Sequence, residues 1–186
     1  MEFDADVWRA RSWDRLSKAL RAKRPESSAY KKWLNDIKHI ESLRVVVEWC
    51  SARSLTVTFC KKAGGMYYTD DKEIKISGRA SPQRQLHLLL HECGHCLIGD
   101  KEKDERFGMG YSRSDDQKVN RTAHHRLDIL EEEFEAWHRG WKLAVRIGAL
   151  GETDKTDYDK TRTQMIFTYV RWTAKQPGFE NYENLA

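Results

Sequence analysis

His91 and His95 stand four residues apart with Glu92 directly after the first, inside the run Leu88-Leu-Leu-His-Glu-Cys-Gly-His-Cys-Leu97. On a helix this spacing brings both imidazoles to one face, where two neutral ring nitrogens can hold a single Zn²⁺. Glu92 would then direct its carboxylate at water on the ion, the position of a general base. No flanking residue of the run carries a charge. Burying two imidazoles and a carboxylate without an ion would leave costly unsatisfied groups, so the run reads as a buried metal helix.

Ser81 suits the N-cap of that helix, Pro82 its first turn and Gly99 its end, which places the helix at Pro82 to about Ile98. His87 extends the histidine row one turn upstream. Three side chains spaced by about 5.4 Å along a straight helix cannot all reach one tetrahedral ion, so His87 is expected to support the site or the core.

A catalytic zinc ordinarily takes three protein ligands and leaves one position open. The third donor is sought in the long helical pattern from Arg126 to Val145, where Ile129, Leu130, Ala136, Trp137, Gly140, Trp141, Ala144 and Ile147 form an apolar stripe. Glu133 falls inside it and Glu132 at its edge, whereas Glu131 and Glu135 project to the polar sides. A carboxylate within an apolar stripe needs a cation, which ranks Glu133 first and Glu132 second. His124 and His125, at the start of this helix, are rival ligands or hydrogen-bond donors to a tetrahedral intermediate, and Tyr111 is a candidate oxyanion donor.

The HECGH run, followed by a helix bearing Glu133-Phe-Glu-Ala-Trp137, resembles the gluzincin branch of HExxH zinc metallopeptidases and is similar to ImmA/IrrE-type metallopeptidase-like domains. The likeness covers about Leu88 to Ala144. It implies zinc on His91, His95 and Glu133 with Glu92 as general base. A third histidine at position 101 and a glycine at position 98 would mark the metzincin branch; Lys101 and Ile98 exclude it.

The 186 residues suit one domain of ordinary size. There is no apolar run of membrane-spanning length and no secretory pattern at the start, so a cytoplasmic protein with free thiols is expected. Cys93 and Cys96 form a C-x-x-C pair, but on a helix their sulfurs turn away from the histidine face. The net charge of +4 concentrates in residues 1–40, with ten Lys/Arg against six Asp/Glu.

Val7 to Arg24 reads as a basic amphipathic helix, so residues 1–26 are set apart from a main domain at 27–186; this helix is a candidate contact for protein or nucleic acid. Tyr30 to Cys50 has helical spacing, and Leu55–Cys60, Met66–Thr69 and Glu73–Ser77 read as strands, the last the candidate edge strand for pairing with a peptide. Gly99 to Thr122 reads as a polar loop, and the pattern from Asp154 through Trp172 as a helix packed on the core. The expected fold is α+β, a mainly helical, zincin-like domain with a small mixed sheet beside the metal helix. The expected function is peptide-bond hydrolysis by a narrow-specificity peptidase, with a non-catalytic, zinc-stabilised binding or regulatory module as the alternative.

Overall fold

The computed structural model describes residues 28–61, 65–68, 71–119 and 122–174. The expected N-terminal helix and its boundary at residue 26 lie outside them. Among the described residues are five helices and a three-stranded sheet: α1 (Ser28–Ser51), β1 (Thr56–Cys60), β2 (Gly65–Tyr68), β3 (Glu73–Ser77), α2 (Pro82–Ile98), α3 (Asp100–Phe107), α4 (Ala123–Arg146) and α5 (Lys155–Ala174). The α+β expectation holds, and no helix among the described residues is long and apolar enough to cross a membrane.

The caps of α2 follow from local chemistry. The Ser81 side chain accepts from the Arg84 amide at 3.3 Å, and Pro82 opens the helix where its missing N–H costs nothing. Gly99 ends it at φ +74°, a conformation that favours glycine. Nearly every side chain between these caps is buried, because α1, the sheet and α4 cover the helix on several sides.

The strand order β1-β3-β2 overturns the expected edge. β3 is central, parallel to β1 and antiparallel to β2, with Ile74 and Ile76 fully buried. The alternation of Glu73 and Lys75 with isoleucines suggests a half-solvated strand, but only pairing across the sheet decides which strand is outermost. β2 is the edge beside α2. Gln85 of α2 ties the helix to the sheet by donating to the Ser77 carbonyl at 2.9 Å.

The stretch between α2 and α4 is more ordered than a polar loop. It holds α3 and a 3₁₀ turn at Tyr111–Arg113, and Arg139 of α4 clamps α3 by donating to Glu102 and to the Leu97 carbonyl at 2.7 Å. The last helix packs on the core through Tyr158, Ile166 and the partly buried Met165, but the expected packing does not extend to its end, where Val170 and Trp172 are exposed.

α2 and α4 cross at backbone contact. A Cβ on Gly94 would lie 1.9 Å from the Ala136 carbonyl oxygen, and one on Gly140 would lie 2.4 Å from that of Leu90. Each glycine thus accommodates the other helix's main chain, and neither carbonyl can yield without moving its helix. Gly94→Ala and Gly140→Ala are each expected to destabilise by about 3 kcal/mol or more, beyond the usual overpacking cost, measured by urea unfolding. A loss under about 1 kcal/mol in both would show that the crossing tolerates separation.

His87 joins α2 to α5. Thr161 donates its hydroxyl to the Asp157 carbonyl, so at 2.8 Å it accepts from His87 Nδ1. Burial, assisted by nearby His39, lowers the His87 pKa from 6.5 to about 4. The neutral ring is therefore favoured in the native state: its contribution is complete above pH 6.5 and is lost as pH falls from 6.5 to 4. That loss amounts to about 3 kcal/mol. Unfolding of wild type and His87→Gln at pH 7 and pH 4.5 should show a shallower acid loss in the variant; parallel losses would contradict it.

Candidate metal centre

Consecutive turns of α2 carry His91 and His95, and the facing turn of α4 carries Glu133. His91 Nε2 is 3.3 Å from His95 Nε2 and 3.1 Å from Glu133 Oε2, and His95 Nε2 is 3.3 Å from Glu133 Oε1. A tetrahedral ion with bonds of about 2.05 Å would hold its ligand atoms about 3.3 Å apart, so the two nitrogens have the spacing a shared ion requires, with one Glu133 oxygen beside each ring. All three residues are buried, at 5%, 8% and 1% exposure. Glu133 Oε2 receives no well-aligned hydrogen bond, although it is enclosed. Two imidazole nitrogens and a carboxylate aimed at one point suit a borderline-soft divalent cation such as Zn²⁺.

Neighbouring side chains hold each of the three in place. Glu132 Oε1 lies 3.0 Å from His95 Nδ1. A carboxylate oxygen only accepts, so Nδ1 carries a proton in either charge state of the ring, and Nε2, which faces the cluster, is the nitrogen from which a cation would displace the second proton. Glu132, the expected alternative for the third donor, therefore touches the histidine's far nitrogen and orients the ring. Trp137, fully buried, stacks on His91 with ring centroids 4.5 Å apart and planes at 21°. Tyr111 donates to Glu133 Oε1 at 2.7 Å.

The charges respond to this crowding. Burial alone would lower the His95 pKa, but the Glu132 and Glu133 carboxylates outweigh it and hold it up, to about 10. Burial likewise favours a neutral Glu133, yet hydrogen bonds and charge from His91 and His95 keep it ionised, well below the ordinary range. Metal and proton compete for the same nitrogen.

Glu92 is at the edge of the cluster beneath β2. Burial raises its pKa, opposed by His91 and His95, while the Tyr67 backbone supplies a hydrogen bond to the carboxylate. Gly65 makes room for it, since a Cβ there would lie 2.7 Å from Glu92 Oε1. Glu92 thus faces a cleft of about 390 Å³ walled by Gly65, Met66 and Tyr67 of β2 and by Lys103, Tyr111 and Tyr169.

His124 and His125 are not at the cluster. His124 is exposed, 3.3 Å from Asp128, because the first turn of α4 lies two turns away from Glu133. His125 donates to the Met109 carbonyl at 2.6 Å, and Asp128 accepts from the Met109 amide at 2.9 Å. Together they pin the turn that delivers Tyr111. Cys93 faces the core, 3.5 Å from Cys50, away from the histidines. Tyr169 of α5 joins the site without a signal in the sequence; its position three residues before Trp172 marks a helical face but not what that face meets.

In metal analysis of purified protein, Glu133→Ala should lose the bound ion. Glu132→Ala should retain it with affinity weakened about 10- to 100-fold, as expected when the partner of a ligating histidine is removed. The opposite pattern would make Glu132 the ligand.

No family model, curated protein or solved structure matches this chain.

Proposed function

We propose that this chain is a zinc-dependent peptidase of narrow specificity, similar to the gluzincins and to ImmA/IrrE-type domains. The observation that carries the proposal is the placement of Glu92: a buried carboxylate beside the clustered His91, His95 and Glu133 side chains, facing a cleft whose wall is an edge strand. A group that merely stapled two helices would need no base there.

His91, His95 and Glu133 would hold Zn²⁺, which would supply Lewis-acid charge and lower the pKa of water toward about 7. The protein's own groups do the rest. The outer edge of β2 offers main-chain donors and acceptors that align an extended peptide across the cleft. Glu92 takes a proton from water and passes it to the leaving amine, a transfer suited to a carboxyl whose pKa burial has raised. Tyr169, whose hydroxyl lies beside that of Tyr111 at the cleft, can donate to the oxygen where negative charge develops, and Tyr111 could do so on releasing Glu133. Burial keeps both phenols protonated, as donation requires.

A cytosolic setting belongs to the same reading.

Glu92→Gln preserves shape and removes the base. It should keep the wild-type metal content and lose about a hundredfold or more in kcat/KM on a peptide mixture followed by mass spectrometry. Equal cleavage by variant and parent, or no cleavage by metal-loaded wild type, would refute the peptidase reading.

A further inference from the structure

Among the described residues that wall the cleft, Lys103 is the only lysine or arginine. Its side chain is 18% exposed, and Nζ lies 3.9 Å from Glu132 Oε1 and 5.6 Å from the centre of the Tyr67 ring. Neither contact is a close hydrogen bond, so the three donors of the ammonium remain for what enters the cleft. Main chain fixes the position. Gly99 turns the chain at the end of α2, the Lys103 amide donates to the Gly99 carbonyl at 3.0 Å, and Arg139 of α4 grips the adjacent Glu102. Lys101, on the same short helix, is 89% exposed and reaches Glu105 instead.

We infer that Lys103 recognises a carboxylate of the substrate, an acidic side chain or a free chain end, on a peptide lying across the cleft. The inference rests on the peptidase reading and names its substrate class. Distance supports it. Glu132 Oε1, 3.9 Å from Nζ, is itself 3.0 Å from His95 Nδ1, so the ammonium stands two contacts away from a ligating ring. Successive residues of an extended peptide advance about 3.3 Å, so a carboxylate carried within two residues of a carbonyl at the metal comes within its reach.

Charge agrees with that occupant. Two of the cleft's own acids are committed, Glu133 to the histidines and Tyr111 and Glu132 to His95, while Glu92 holds the place of the base. A basic substrate group would find no unspent acid and would meet Lys103 as a like charge. A phosphate would bring close to two negative charges toward three carboxylates, with one lysine and no arginine fork to receive it. One carboxylate matches one ammonium. With a divalent cation on His91, His95 and Glu133, the three acids would leave one negative charge over, which Lys103 cancels, so an anionic group meets a local cation rather than net repulsion.

Three peptide hydroxamates of one length test this by calorimetry on the zinc-loaded chain: one neutral, with glutamine and an amidated end, one with glutamate in place of glutamine, and one with a free terminal carboxylate. At least one carboxylate probe should bind about tenfold more tightly than the neutral one, as a charge-assisted hydrogen bond provides; which of the two responds tells side chain from chain end. Lys103→Met should bring that ratio close to one and Lys103→Arg should keep most of it, with zinc retained in both. Equal affinities in the native chain, or a ratio that survives Lys103→Met, would overturn the assignment. So would loss of zinc and of all three probes alike in Lys103→Met, which would make Lys103 a support for Glu132 and His95. Carboxylate preference in binding without cleavage of any peptide would sink the peptidase reading and leave the carboxylate site standing. Cleavage indifferent to acidic groups would do the reverse.

Discussion

The approach of α2 to α4 at backbone contact is the constraint on which the rest of the molecule depends. Gly94 meets the Ala136 carbonyl and Gly140 that of Leu90, so the helices cross closer than side chains would permit. Only at that separation can short side chains reach across: two imidazoles from one helix and one carboxylate from the other arrive at a common point. The same crossing brings Glu132 to His95 and Trp137 to His91. Position 94, between Cys93 and His95, is thus structural in a run otherwise read for its chemistry.

Around this crossing the molecule arranges its polar groups in layers of decreasing burial. Glu133 is tied to His91, His95 and Tyr111; Tyr111 is tied to Tyr169 and positioned by a turn that His125 and Asp128 anchor. Lys103, 3.9 Å from Glu132, adds a positive charge at the rim of a cleft otherwise rich in carboxylates. Removing a member of such a chain affects its neighbours more than itself, because buried polar groups lose partners they cannot replace with water.

Much of this is legible in the sequence, and the missing parts share a cause. The ends of α2 are readable from Ser81, Pro82 and Gly99, whose effects are local. Glu133 stands out because helical periodicity alone places it among apolar neighbours. The order of the strands is not readable: Glu73–Ser77 has the alternation of a half-exposed strand, yet becomes central through hydrogen bonds to segments up to 17 residues away. The places of His125 and Tyr169 are hidden for the same reason. Periodicity assigns a side chain to a face of its own helix but does not identify the element opposite.

The glycine crossing has a thermodynamic consequence. Main-chain contact and the apolar cluster of Leu86, Leu89, Leu90, Leu143 and Tyr158 join the two helices through groups that no cation would touch. Such packing would order the donor atoms on folding, unlike in a zinc finger, whose ligands are scattered until the ion gathers them. A cation entering this site meets a finished cradle, so its affinity reflects coordination and proton displacement, and its effect on melting follows mass action. Were a cation bound there, shape and ion load could vary independently, and a chelator would remove the ion without unravelling the fold.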